Sequence, residues 1–196
     1  MIAIIDYNMG NLASVVNAFD KINADAKVIT NPEELKNFDK IILPGVGAFA
    51  DAVEHLEESG MKDAILDFAK SGKYMLGICL GMQLLFEKSQ EFGEAKGLGL
   101  IEGEVDYFKT SLKVPHMGWN KMFTKESPLF KGLSNPYLYF VHSLHAVCDD
   151  KYVIGYTDYD YKFVSAVNKE NIFGFQPHPE KSHNEGLQIL RNFVEL

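Results

Sequence analysis

Three short apolar runs, each closed by a glycine-bearing turn and followed by a helical pattern, constrain this chain more than any other feature. Ile2–Ile5 leads into DYNMGN (6–11). Lys40–Leu43 leads into PGVGAF (44–49), and Tyr74–Ile78 runs into GICLG (77–81). Leu12, Val15, Val16, Phe19 and Ile22 follow the first turn at helical spacing. Residues 27–30 read as a further strand, with Asn31-Pro32 opening a short helix. Val53, Leu56, Met61, Ile65 and Phe68 mark helical turns with a break at Ser59-Gly60, and a helix is expected over about 80–88. This β-α-β-α order predicts a parallel sheet with helices on both faces. All strands of such a sheet end on one edge, where open α/β folds bind ligands, so the three turns should meet there.

After Gly97 the rhythm changes to short β-like runs at 100–108, 119–123, 137–147, 152–157, 163–168 and 171–176. These either extend the sheet or form a small second layer. A final helix carries Leu187, Leu190 and Val194. No repeat, low-complexity tract or linker divides the chain, so residues 1–196 read as one domain. At that length a chain buries about 70% of the surface it exposes unfolded. The formal net charge of −8 argues against a nucleic-acid surface, which needs clustered Lys and Arg. No apolar run approaches the roughly 20 residues of a membrane span. The N-terminus has no basic leader, and Asp6 ends its apolar run. With only Cys79 and Cys148 and no secretory signal, a disulfide framework is a poor reading, and the reducing cytoplasm is the expected compartment.

GICLG has the form Gly-x-nucleophile-x-Gly. Its glycines permit the close backbone approach of a sharp strand-to-helix turn, which should leave Cys79 exposed at a helix start. A free thiol is only a few per cent thiolate at neutral pH, so the chemistry needs a base. FGFQPHPEKS (173–182) offers one: His178, stiffened by Pro177 and Pro179, with Glu180 placed to hold its other ring nitrogen. Residues 45–50 match a dinucleotide fingerprint, but no acidic residue closes the next strand to hold a ribose. The alternatives are a tight turn needing positive φ, or backbone N–H groups at Val46 or Gly47 aimed at a ligand near Cys79. His142 and His145 should point to opposite faces of one strand, and no Cys/His cluster has zinc-type spacing. Cys148 and Trp119 read as packing, and Glu54, Glu57 and Glu58 as a solvated helix face.

Taken together, PGVGAF, GICLGMQ and FQPHPE resemble the class I, triad-type glutamine amidotransferases, over the whole of residues 1–196. The resemblance implies a flavodoxin-like three-layer α/β sandwich, mainly parallel, with antiparallel strands added in the second half. It implies glutamine hydrolysis to glutamate and ammonia through a cysteinyl thioester, with no cofactor and no metal. Cys79 matches the nucleophile, His178 the base and Glu180 the residue that orients it. Gly47 and Gln83 match glutamine-site positions. Leu80 and the Val46–Gly47 turn are the expected oxyanion donors. DYNMGNL, PHMGWN, YFVHS and HPEKS resemble the members that pass ammonia to a (β/α)8-barrel cyclase in histidine biosynthesis, as one half of a heterodimer. Asn11, Tyr139 and Lys181 are the expected positions facing that partner, which is expected to tune the oxyanion hole. Pro177 departs from the family's usual aromatic residue before the histidine. That departure leaves room for a paralogue serving another synthase, such as one amidating a sugar precursor. A flavodoxin-like cysteine hydrolase or peptidase is the competing enzyme class.

Overall fold

The computed structural model describes residues 1–196. Five adjacent strands form the main parallel block of the sheet: β1 (Ile2–Ile5), β2 (Ala26–Ile29), β3 (Lys40–Leu43), β4 (Tyr74–Ile78) and, from the far end of the chain, β13 (Ile172–Phe175). Their spatial order is β2-β1-β3-β4-β13, and every neighbouring pair is parallel. Each side chain of β1 is buried, but alternate residues enter different cores. Ala3 and Ile5 join the cluster that holds Phe49, Leu56 and Ile65. Ile2 and Ile4 join the one that holds Val15, Phe19, Ile189, Leu190 and Phe193. The first core lies under α2 (Phe49–Glu58) and α3 (Met61–Lys70); the second lies under α1 (Leu12–Lys21) and α5 (His183–Glu195). A strand covered on both faces reads as an unbroken apolar run, which is why IAII does not alternate.

The β-rich second half does both things the sequence allowed. β12 (Tyr161–Lys169) pairs antiparallel with β13, and the sheet continues through β10 (Leu144–Val147), β7 (Ile101–Tyr107), β5 (Phe86–Ser89) and β6 (Ala95–Lys96). β11 (Val153–Tyr159), β8 (His116–Thr124) and β9 (Tyr137–His142) fold off β12 as a separate antiparallel wing.

The expected 80–88 helix is a single turn, α4 (Leu80–Gln83), after which Phe86–Ser89 is a strand. The stretch from Leu80 to Phe86 is buried on every side, so it carries no amphipathic period to separate helix from strand. Its carbonyls are taken by another segment: Leu98 N–H donates to Leu84 O at 2.8 Å and Leu100 N–H to Leu85 O at 2.9 Å.

The turn that ends β4 works only with glycine. A Cβ on Gly77 would lie 2.6 Å from the Gly81 carbonyl oxygen, and one on Gly81 would collide with the Leu43 carbonyl of β3. Gly81→Ala is therefore expected to cost about 1–3 kcal/mol of unfolding free energy in urea titration, the range for overpacking a site that cannot relax. An unchanged midpoint would show that the turn has slack.

Candidate active site

The three turns meet on one edge. Val46 N–H donates to Met9 O at 3.1 Å, and the Tyr7 hydroxyl donates to Pro44 O at 2.9 Å. A Cβ on Gly45 would strike the Tyr7 hydroxyl and sit 3.3 Å from Gly81 N. The fingerprint-like PGVGAF thus packs three turns together through Gly45, and Gly47 supplies the positive φ of +107°.

Cys79 sits at the apex with φ +56° and ψ −112°, a conformation that a non-glycine residue holds only under constraint. Contrary to expectation it is not exposed: 7% of its surface is accessible. Its N–H donates to Phe175 O of β13 at 2.7 Å, fixing Cys79 to the strand that leads to His178. The sulfur faces a cavity of about 400 Å³ that His178 also lines. Leu80, at the start of α4, keeps an N–H that no helical carbonyl can reach.

His178 lies three residues beyond β13. Its N–H donates to Tyr139 O at 2.9 Å. The Ser182 hydroxyl accepts from Tyr139 N–H at 2.9 Å and donates to His178 O at 2.6 Å. The ring is therefore held by a loop stapled to β9. Pro177 costs the sheet nothing, because the last ladder pair is Ala166 with Phe175. His178 Nδ1–H donates to Glu180 Oε1 at 2.7 Å, with both side chains only 3% exposed. Nε2 has no hydrogen-bond partner, and the ring lines the same cavity as the Cys79 sulfur. Burial by itself lowers the pKa of His178, but the nearby Cys79 sulfur and the Glu180 carboxylate that accepts its Nδ1–H outweigh it and raise it to about 10.

The other expected residues are distributed as follows. Gly47, Leu80 and Gln83 line the cavity with Cys79. Gln83 acts as a buttress: its Nε2 donates to Gln176 Oε1 at 3.0 Å and approaches Leu144 O at 3.4 Å. Val46 corrects the expected oxyanion pair, because its N–H is spent on Met9 O. Gly47 N–H is the donor left in that turn. Asn11 borders a small void shared with His178 and Glu180, while Tyr139 and Lys181 hydrogen-bond through their backbones to His178. Asn11 and Tyr139 flank the 178–182 loop, and Lys181 belongs to it.

Several residues escaped the sequence reading. Glu91 and the 141–144 segment line the cavity. Gln176, fully buried, directs its Nε2 to the Cys79 sulfur at 3.7 Å. Ser182 could be suspected only from its place in HPEKS. Trp119 is not packing but 48% exposed, stacked on the His183 ring at 4.9 Å. His142 and His145 do not point apart: both flank Phe108, at 5.2 and 4.9 Å between ring centres. Ser143 breaks the 137–147 run into two strands that belong to different sheets, so alternation does not carry across it.

A buried thiol, an imidazole and a carboxylate behind it are the combination that nucleophilic acyl transfer needs. The family model for class-I glutamine amidotransferases matches residues 3–196, and the chain belongs to that family. It is 64% identical over its full length to the imidazole glycerol phosphate synthase subunit HisH of Sulfurimonas denitrificans, covering 98% of that protein. It is 58% identical to the same subunit of Wolinella succinogenes, with both chains covered completely. A solved glutamine amidotransferase shares the fold at TM-score 0.80 and 18% identity, covering 100% of this chain and 98% of the other. So does a chain of the PurLQS structure from Thermotoga maritima, at TM-score 0.79 and 18% identity, with 99% and 97% covered.

A histidine pKa raised by folding stabilises the native state fully below its ordinary value of 6.5, and that stabilisation is lost as pH rises toward 10. The unfolding free energy of the chain relative to a His178→Gln variant should therefore fall across pH 6.5 to 10. A difference that stays flat across that interval would mean the ring is neutral in the folded protein.

Proposed function

We propose that this chain is the glutaminase subunit of an imidazole glycerol phosphate synthase, and that Cys79, His178 and Glu180 are its catalytic residues. The observation that carries the chemistry is the shared cavity of Cys79 and His178, with Glu180 fixing the far side of the ring. The full-length likeness to the HisH subunits carries the pathway. Residues 1–196 act as one domain, in the cytoplasm; both cysteines are free, and no helix is long and apolar enough to cross a membrane.

The mechanism follows from the side chains. Glutamine enters the cavity with its side-chain amide toward Cys79, and the Glu91 carboxylate is the wall charge suited to the substrate's α-ammonium. The sulfur attacks the amide carbon with its proton already resting on His178 Nε2, where the raised pKa of that ring favours it. The tetrahedral oxyanion meets Leu80 N–H, with Gly47 N–H as the second donor. The C–N bond breaks, His178 delivers its proton to the leaving nitrogen, and ammonia departs. Water then attacks the thioester, His178 accepts its proton, and the thiol is restored as glutamate leaves. The Glu180 carboxylate accepts from Nδ1–H and holds the ring in the orientation this cycle requires.

Ammonia released to solvent would be protonated, so a consumer belongs close by. The outer face of the β8–β9 pair is suited to one. Met117, Trp119 and Tyr137 are exposed there, and Val141, opposite Met117, also lines the cavity. We assign this face, with Asn11, Tyr139 and Lys181, to the cyclase. Docking beside Met9–Asn11 offers a way to free the Val46 N–H from Met9 O and add it to the Leu80 and Gly47 donors of the oxyanion hole.

One glutaminase assay tests both parts of the reading. Cys79→Ser should lose at least on the order of a thousand-fold in glutamate release while keeping its melting curve. Adding the cyclase to the unaltered chain should raise turnover on the order of a hundred-fold, the usual worth of one oxyanion donor. Undiminished glutamate release by Cys79→Ser would remove the sulfur from the reaction, and equal rates with and without cyclase would remove the partner's control.

A further inference from the structure

Beneath the β8–β9 face lies a buried pair that the mechanism above leaves unused. His116 and His142 are direct cross-strand neighbours on the inner side of that wing, 3% and 6% exposed. His116 Nδ1 lies 3.0 Å from His142 Nε2. His142 Nδ1 lies 2.6 Å from Leu144 O. At the other end, His116 Nε2 lies 3.2 Å from Asn120 Nδ2. Phe108, Phe140 and Phe163 pack around both rings.

The protons in this chain can run in only one direction. Asn120 is oriented by its own contacts: Oδ1 accepts from Lys121 N–H at 2.8 Å, and Nδ2 donates to Asp158 O at 2.9 Å. Nδ2 is thus a donor, and His116 Nε2 must accept. His116 then carries its proton on Nδ1 and donates to His142 Nε2. His142 in turn carries its proton on Nδ1 and donates to Leu144 O, which cannot donate back. A second proton on either ring would set donor against donor. Burial lowers both rings' pKa, to about 4 for His116 and about 3 for His142. Among the groups around His142, the charges of His116, His145 and His178 also oppose a proton on it, while Leu144 O favours one. A metal is not the purpose, because every ring nitrogen of the pair has a hydrogen-bond partner.

The recipient of this chain is part of the cavity. His142, Ser143 and Leu144 form one wall of the space that Cys79 and His178 line. The Leu144 carbonyl that His142 holds is the one Gln83 Nε2 approaches, and Gln83 also holds Gln176, which contacts the sulfur. We propose that His116 and His142 are positioning residues for substrate: a neutral, one-directional hydrogen-bonded pair that holds the 142–144 wall in its glutamine-binding shape. The proposal rests on the glutaminase reading for what the cavity binds, but not for the state of the rings. Neither ring needs to touch the reacting atoms. The pair acts on affinity, so its loss should appear in KM and not in kcat.

The test has two arms on the full-length chain. Histidine ring 15N shifts, assigned with His116→Asn and His142→Asn, read the tautomers at neutral pH without any substrate. Both rings should be neutral with the proton on Nδ1; a proton on Nε2, or an imidazolium, in either ring overturns the proposal. The second arm measures glutamine hydrolysis with cyclase present. His116→Phe fills the space but cannot donate, and should raise KM about ten-fold with kcat changed less than two-fold, the scale expected for one buried acceptor left unpaired. His116→Asn places an amide N–H near the former Nδ1 and should restore most of the affinity. Equal KM for the Phe and Asn variants, or a loss confined to kcat, overturns the positioning role. Failure of the glutaminase reading would show differently, as undiminished activity in Cys79→Ser with the ring tautomers unchanged.

Discussion

One backbone hydrogen bond joins the two halves of the chemistry. Cys79 N–H donates to Phe175 O, extending by one residue the parallel pairing of β4 with β13. β4 ends at Cys79 and β13 leads to His178, yet almost the whole of the β-rich half lies between them in the sequence. The match of Gly77 with Gly174 and of Ile78 with Phe175 sets the sulfur and the imidazole side by side. A slip of one residue would turn every side chain of β13 to the other face. Both strands are buried on both faces, so that slip is opposed by two cores at once.

Around that pairing the site is built from rigid parts. β3 presses its Leu43 carbonyl against Gly81, and two residues earlier Cys79 holds a positive φ that an isolated peptide would abandon. β9 and Ser182 hold the 178–182 loop. The same β8–β9 wing offers an apolar outer face and the histidine pair on its inner face. The proposed substrate wall and docking surface therefore share one small antiparallel unit, set beside the parallel β4–β13 pair that places Cys79 and His178.

The parallel half was readable from the sequence because its strands are short, apolar and separated by amphipathic helices. Its turns carry glycines where backbone meets backbone, and GICLG shows that need in its spacing. The 80–88 segment was not readable, since a stretch buried on all sides has no period. Nor were Glu91 and Gln176, whose importance comes from strands that meet only in the fold. Cys79 was expected to be exposed because an elbow presents its nucleophile; the elbow is there, but the 141–144 wall and the 178–182 loop close over it. Trp119 lies on a half-buried strand, and sequence alternation does not say which face a partner covers. The Val46 N–H points away from the site because it finds Met9 O, a contact between two turns that neither turn encodes alone.

The central claim is that one sulfur, placed by the β4–β13 register, carries the acyl group of glutamine. Acid quenching during turnover, followed by peptide mass spectrometry, tests it most directly. The account predicts a γ-glutamyl adduct on the peptide containing Cys79, absent from the one containing Cys148 and abolished by His178→Ala. Steady glutamate production with no adduct on Cys79, or with the adduct on Cys148, would contradict it.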